Sequence, residues 1–256
     1  MIDPRAVIDK GAELAEDVSV GPFSIIGSDV KIGAGTVIGP HVVISGPTTI
    51  GENNRFFQFS SIGEAPQDKK YAGEPTELLI GNNNVFRESC TIHRGTIQDK
   101  GLTKIGDDNL FMAYTHVAHD CLIGNGVIMS NSASLAGHVE IGDQVILGGF
   151  TLVHQFCKIG QHAFAAMASQ ITKDILPFVM VGGLPTRPYS INSEGLKRRG
   201  YESEEISRIR NAYKVIYKSG LLLNDAIQQL EASSRGDGAI QQIIDFIAKS
   251  DRSILR

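Results

Sequence analysis

An aliphatic residue returns every sixth position along most of this 256-residue chain, usually followed by glycine, and that period restricts the fold more than any other feature. From the N-terminus the series runs Ile2, Ile8, Leu14, Val20, Ile26, Ile32, Ile38, Ile44, Ile50, Phe56 and Ile62. It resumes at Ile80, Phe86 and Ile92, and again from Ile105 through Ile123, Ile141 and Ile159 to Ile171. A second series, mostly small residues, lies four positions after the first, as at Val18, Ser24, Val30, Thr36, Ala133 and Thr151. An α-helix cannot hold a six-residue repeat on one face, and a simple strand alternates every two. A coil of three hexads satisfies both series. Each hexad is then a short flat strand and a corner, with the bulky residue filling a prism core and the small one fitting where walls converge. On this reading glycine supplies corner dihedrals closed to other residues. A single coil buries little, so stability comes from stacking, with parallel-sheet hydrogen bonds running from coil to coil.

Two interruptions break the series, near residues 64–79 and 94–104. The step from 62 to 80 is 18 residues, three hexads, whereas that from 92 to 105 is 13, one more than two hexads. The first interruption carries the polar run EAPQDKKYAGEP from Glu64 to Pro75. Loops projecting from a rigid scaffold concentrate binding residues, although a merely tolerated insertion has the same outward form.

Past Ile171 the period changes. Pro177, Pro185 and Pro188 with Gly182 and Gly183 predict an extended crossing strand and loop. Ser193 is the expected cap of a short helix stopped by Gly200, and Ser203 that of a second helix stopped by Gly220, with Ile206, Ile209, Tyr213, Ile216 and Tyr217 on one face. Two more helices are predicted near 224–232 and 239–249. The chain therefore divides into a solenoid over 1–190 and a helical domain over 191–256, which either covers the open end of the solenoid or lies beside it.

A composition of 28 Gly and no Trp suits that division. The net charge of −4 argues against non-specific nucleic-acid binding. No apolar run of roughly 18 residues exists and Met1 to Lys10 lacks a signal-peptide core, so no integral membrane association and a cytoplasmic location are expected. Cys90, Cys121 and Cys157 all occupy the small inward slot, which makes them packing residues rather than a disulfide or zinc framework.

All seven histidines lie in the solenoid and none falls in an inward slot, so they face outward or sit at corners. Stacking by 18 puts His119 beneath Gly137 and Gln155, Asp120 beneath His138, and Ala136 beneath His154. If the second interruption adds seven residues, Ile92 stacks under Val117 and His93 joins the same edge. His93, His116, His119, His138 and His154 then form one strip with about 5 Å per coil, the default site in this chain.

The loop QDKKYAGEPT, the segment TIHRGT, HVAHDC at His116 to Cys121, AGHV at Ala136 to Val139, VHQFC at Val153 to Cys157 and NSEGLKRRG at Asn192 to Gly200 resemble the UDP-N-acetylglucosamine O-acyltransferase family. The resemblance covers essentially the whole chain. It implies a left-handed parallel β-helix with a C-terminal α-helical domain, a homotrimer with sites at subunit interfaces, and transfer of an (R)-3-hydroxyacyl chain from acyl carrier protein to the 3-hydroxyl of UDP-N-acetylglucosamine, the first step of lipid A biosynthesis. It also implies His119 as general base, Asp120 as its orienting partner and the Gly137 N–H as oxyanion donor. An imidazole titrating near pH 6.5 suits proton removal from a hydroxyl around neutrality. Adjacent strand residues point oppositely, so the His119 and Asp120 pairing requires a corner between them. Gln67, Asp68, Lys70, His93, His116, His138 and His154 match groups around the acyl hydroxyl, sugar and phosphates. Gln155, Asn192, Glu194, Arg198 and Arg199 match the nucleotide end, where arginine suits a diphosphate. Lys197 to Arg199 also read simply as cations at a helix C-terminus, and as an attraction for the acidic carrier protein. Met167 matches the position that limits acyl length, with the groove expected along Ala165, Met167 and Gln170. No bound cofactor or metal is implied, because the 4′-phosphopantetheine arm arrives on the carrier protein.

Three alternatives remain open at the sequence level. A sister enzyme that acylates a 3-amino sugar shares the fold but places another domain ahead of its hexads. A hexapeptide carbonic anhydrase would use His116 and His119 as zinc ligands. A non-catalytic scaffold would keep the solenoid without needing the histidine strip.

Overall fold

The computed structural model describes residues 1–233 and 236–256. Its two-residue strands close into a left-handed parallel β-helix with three flat walls. A nine-stranded first wall runs from Val7–Ile8 to Gln170–Ile171, and an eight-stranded second wall from Glu13–Leu14 to Lys158–Ile159. A ten-stranded third wall runs from Ser19–Val20 to Val179–Gly182 and ends in the antiparallel strand Arg187–Ile191. In the first wall Ile62 pairs with Ile92, Ile92 with Val117, Val117 with Leu135 and Leu135 with Val153. These steps are 30 residues (62 to 92), 25 (92 to 117) and then 18, so the interruptions add twelve and seven residues to otherwise uniform coils.

Both expected inward series are buried, with Ile26, Ile44 and Leu135 as bulky members and Ser24, Thr36 and Ala133 as small ones. Phe56, Phe86 and Phe111 stack face to face through three coils at 4.7 Å between centroids. At the N-terminal end, where no coil lies beneath, Ile2 stays exposed. The cysteines are free and buried, and burial raises all three thiols, Cys121 to about 12.

The glycine reading needs correction. The left-handed corner conformation falls three residues after the aliphatic position and is held mostly by ordinary residues, such as Asp120 (φ 60), His138 (φ 62) and His162 (φ 59). The glycine directly after the aliphatic residue serves close stacking instead. A Cβ on Gly106 would sit 2.4 Å from Asn125 Oδ1 and 2.7 Å from Gly124 O. That Asn125 oxygen accepts the Asp107 N–H at 2.8 Å, and Asp143 Oδ1 repeats the contact on Asn125 N at 2.7 Å. The coil above thus fills the space a side chain would need.

A buried polar ladder runs up the small inward slot. Asn54 Oδ1 accepts the Asn84 N–H at 2.9 Å, Asn84 Oδ1 accepts the Asn109 N–H at 3.0 Å, and the Asn84 amide donates to Gly106 O at 2.9 Å. Asparagine is tolerated inside the prism because each side-chain oxygen accepts a backbone N–H of the next coil, from Asn84, Asn109 and Val127 in turn.

The helical domain comprises α1 (Ser193–Arg198), α2 (Ser203–Lys218), α3 (Leu223–Ser233) and α4 (Gly238–Ala248). Asn192 rather than Ser193 caps α1, accepting from Gly195 N, while Ser203 is the first residue of α2 and Glu202 precedes it without a side-chain cap bond. The proline segment forms the hairpin of Val179–Gly182 with Arg187–Ile191. Beyond α4 the tail returns to the solenoid: the Leu255 N–H donates to Asp174 O at 2.7 Å, and Asp174 Oδ2 accepts from Ser250 Oγ at 2.6 Å. The domain therefore both follows the C-terminal coil and lies against it.

Replacing Asn84 with Ala leaves Gly106 O and Asn109 N–H without their partner, and each unpaired buried group costs about 1–3 kcal/mol. Denaturant unfolding of Asn84→Ala should show a loss of roughly 3 kcal/mol. An unchanged midpoint would contradict the ladder's contribution.

Candidate active site

The corner between the first and second walls carries the site. There the 18-residue step superposes Asp120, His138 and Phe156, all in the left-handed conformation. His119 precedes that corner, so the turn reverses the usual alternation and lets neighbours converge. His119 Nδ1 lies 2.8 Å from Asp120 Oδ2. The corner that the pairing required is therefore present.

Asp120 is 1% exposed. Its Oδ1 accepts the Thr96 N–H at 2.8 Å, and its Oδ2 accepts Thr96 Oγ1 at 2.6 Å as well as His119. Burial works against the Asp120 anion, yet the bonds from His119 and Thr96 outweigh it and hold the carboxyl below its ordinary range. In the tautomer that donates Nδ1–H to Asp120, Nε2 is the ring nitrogen left as an acceptor.

His138 packs edge-on against His119 with centroids 5.1 Å apart, stacks on Phe156 at 4.4 Å, and places Nδ1 2.9 Å from Asp99 Oδ2. His93 and His116 meet edge to face, also at 5.1 Å, and Thr91 Oγ1 holds His116 Nδ1 at 2.8 Å. The spacing of about 5 Å expected for the strip is observed within the His93–His116 and His119–His138 pairs. His93 departs from the outward placement expected of it: it is 3% exposed, and burial, with His116 beside it, pushes its imidazole down to about 4. It stays neutral near pH 7. Burial also lowers His116.

Gly137 lies directly over the base. A Cβ there would sit 2.6 Å from His119 Cε1 and 2.8 Å from Nε2. Among the described residues no acceptor within the chain takes the Gly137 N–H.

The cleft beside these residues measures about 990 Å³. Gln67, Asp68, Lys70, His119 and His138 line it together with Gln155, which the sequence had grouped with the nucleotide end. The first insertion is fastened in place by Arg94, whose guanidinium donates to Gly46 O at 2.7 Å, Gly63 O at 2.6 Å and the Tyr71 hydroxyl at 3.1 Å. Sequence reasoning missed Asp99, Lys100, Glu140, Phe156, Lys158 and Arg252, which complete the walls. Phe156 was reachable by one more 18-residue step, whereas Asp99 lies in an insertion and Arg252 in the tail, where no period applies.

Other expected residues lie elsewhere. His154 is exposed, its Nδ1 3.0 Å from Gln155 O. Asn192, Glu194, Arg198 and Arg199 gather at the corner between the second and third walls. There Asn192 donates to His162 O at 3.0 Å, Glu194 pairs with Lys197, and Arg199 donates to Gln144 Oε1 at 2.6 Å. One chain does not bring them into the His119 cleft. Met167 is 76% exposed on the corner between the third and first walls, also away from the cleft. Ala165 points into the core, so it cannot line an outer groove.

His119, Asp120 and His138 have donor atoms within 4.8 Å of one another, a spacing compatible with a metal. Asp120 Oδ2 is already shared by Thr96 and His119, and the 2.8 Å contact is shorter than the roughly 3.3 Å edge of a tetrahedral zinc site. The geometry is that of an imidazole hydrogen-bonded to a buried carboxylate.

Comparison with known proteins identifies the family. A family model for "Udp N-acetylglucosamine O-acyltransferase; Domain 2" matches residues 174–255, and one for bacterial transferase hexapeptide repeats matches 11–46 and 102–137. The chain is 56% identical to the acyl-[acyl-carrier-protein]--UDP-N-acetylglucosamine O-acyltransferase of Thiobacillus denitrificans, over 100% of this chain and 99% of that one. The chain belongs to the UDP-N-acetylglucosamine O-acyltransferase family. The Stenotrophomonas maltophilia member is 57% identical over 100% of this chain and 97% of its own. Among solved structures, LpxA of Acinetobacter baumannii superposes with a TM-score of 0.97 at 49% identity, covering 100% of this chain and 99% of that one. The Francisella novicida acyltransferase gives 0.98 at 42%, covering 100% and 94%.

Gly137→Ala should push the His119 ring aside while leaving the coil folded. A displacement of about 1 Å costs on the order of 10² in rate. Unaltered kcat in that variant would contradict the observed packing of Gly137 on the base.

Proposed function

We propose that this acyltransferase moves an (R)-3-hydroxyacyl group from acyl carrier protein to the 3-hydroxyl of UDP-N-acetylglucosamine, the first step of lipid A biosynthesis, in the cytoplasm. The relatives' names support the donor and the acceptor. The observation that carries the chemistry is the 2.8 Å bond from His119 Nδ1 to Asp120, which leaves Nε2 free as a base.

In the proposed reaction, His119 Nε2 takes the proton of the sugar 3-hydroxyl as its oxygen attacks the thioester carbonyl. The Gly137 N–H donates to the oxyanion of the tetrahedral intermediate. Collapse breaks the carbon–sulfur bond, and the departing thiolate recovers the proton from His119. Asp120 fixes the ring's tautomer and stabilises the imidazolium. The thioester supplies the activation, so the chain itself needs no cofactor; the 4′-phosphopantetheine arm belongs to the donor.

Gln67, Asp68 and Lys70, with His93, His116, His138 and His154, are assigned to the acyl hydroxyl, sugar and phosphate side. Gln155, Asn192, Glu194, Arg198 and Arg199 are assigned to the nucleotide. The separation of these groups within one chain supports a homotrimer whose neighbouring copies complete each site. The aromatic column Phe23, Phe59, Tyr114 and Phe150, exposed along one corner together with Met167, supports the same reading. Between copies, Met167 bounds the acyl groove and favours a shorter chain.

His119→Ala should retain the fold and lose about 10²–10⁴ in turnover of UDP-N-acetylglucosamine with a hydroxyacyl carrier protein. Wild-type rates in that variant would overturn the base assignment. Met167→Gly should move donor preference to longer chains in a competition between carrier proteins of different acyl length, and an unchanged profile would remove Met167 from the groove.

A further inference from the structure

The insertion at 94–101 is more than a loop beside the cleft. Thr96 is fully buried, and it delivers two donors to one carboxylate: its N–H reaches Asp120 Oδ1 at 2.8 Å and its hydroxyl reaches Oδ2 at 2.6 Å. Asp120 is held from a third side, because Thr103 Oγ1 accepts the Asp120 N–H at 2.8 Å. Among the described residues one further donor meets the carboxylate at hydrogen-bond distance, His119 Nδ1 on Oδ2 at 2.8 Å. Without the Thr96 hydroxyl, Oδ2 would answer to His119 alone, and the plane of the carboxylate would rest on the Thr96 N–H at Oδ1 and His119 at Oδ2.

We propose that Thr96 is a positioning residue for the transfer reaction, fixing the plane of the Asp120 carboxylate so that Oδ2 meets His119 Nδ1 and the free Nε2 faces the acceptor hydroxyl. The inference rests on His119 acting as the base. Its physical logic is competition at one oxygen. The Thr96 hydroxyl, donating to Oδ2, weakens that oxygen as an acceptor from His119, and so limits how far the carboxylate stabilises the imidazolium. Thr96 therefore sets both the aim of the base and its proton affinity.

Other groups that bear on His119 are His138 on the next coil, His116 and His93 below, Asp68 and Lys70 from the first insertion, Asp99 and Lys100 from the second, and Glu140, Lys158, Asp251 and Arg252 around the cleft. Thr96→Val removes none of these groups. Valine keeps the branched shape and the backbone N–H while deleting the hydroxyl that donates to Oδ2.

The test joins steady-state kinetics with NMR titration of the His119 ring in full-length protein labelled at histidine. In Thr96→Val, kcat should fall about 10-fold with the KM for UDP-N-acetylglucosamine changed less than twofold. The acid limb of the kcat profile and the His119 ring titration should both move up by about half a pH unit, because the unshared Oδ2 binds the imidazolium more tightly. Thr96→Ser, which restores the hydroxyl, should return both readouts to wild type. A melting temperature lowered in Thr96→Val with kcat and the ring titration unmoved would reduce Thr96 to a structural residue and overturn the proposal. The ring titration does not depend on turnover. An active His119→Ala would sink the base reading, whereas an unmoved titration in Thr96→Val would sink the positioning.

Discussion

Backbone donation from one coil to the next sets the position of everything else in this molecule. The Ala118 N–H donates to Leu135 O, Ala136 to Val153 O and His138 to His119 O, each at 3.0–3.2 Å, and the register admits no slip. A shift by one residue would turn the bulky series out of the prism and the polar series in, at a cost far above what any outward contact returns. The site is therefore a by-product of the core. Because aliphatic residues are locked in register, the positions two and three residues beyond them are locked as well, and these are His119, Gly137 and Gln155 in one column and Asp120, His138 and Phe156 in the other.

That scaffold solves a problem of charge. A carboxylate buried as fully as Asp120 is strongly disfavoured unless its oxygens are satisfied, and here they are, by Thr96 and His119. The histidines below serve differently. His93, pushed to about 4 by burial, and His116, lowered by the same cause, stay neutral near pH 7, so they add no positive charge beside His119. A rigid stack thus arranges one buried carboxylate, the imidazole bonded to it and two neutral rings within a few coils.

Much of this was legible in the sequence, and the reason is the period. The step of 18 led to the fold and to the stacking of His119, Asp120 and His138, and the pairing of Ile92 with Val117, expected if the second interruption added seven residues, is observed. What escaped lay where the period does not reach. Thr96, Asp99 and Arg252 belong to an insertion and a tail, whose course is set by side-chain contacts rather than repetition. Glycine was misread for a physical reason: the hexad signature is the same whether glycine relieves a dihedral or makes room for the coil above, and only the Asn125 oxygen over Gly106 distinguishes the two. The buried Asn54, Asn84 and Asn109 ladder was overlooked because polar residues in an inward slot look like exceptions until their backbone partners are known.

The most direct test of the central claim is mass spectrometry of the nucleotide after incubating the wild-type protein with UDP-N-acetylglucosamine and 3-hydroxyacyl carrier proteins of graded chain length. The account predicts a mass gain of one hydroxyacyl group, ester-linked at the sugar 3-oxygen. A folded protein that forms no such ester with any donor, or that acylates only a 3-amino sugar, would contradict it.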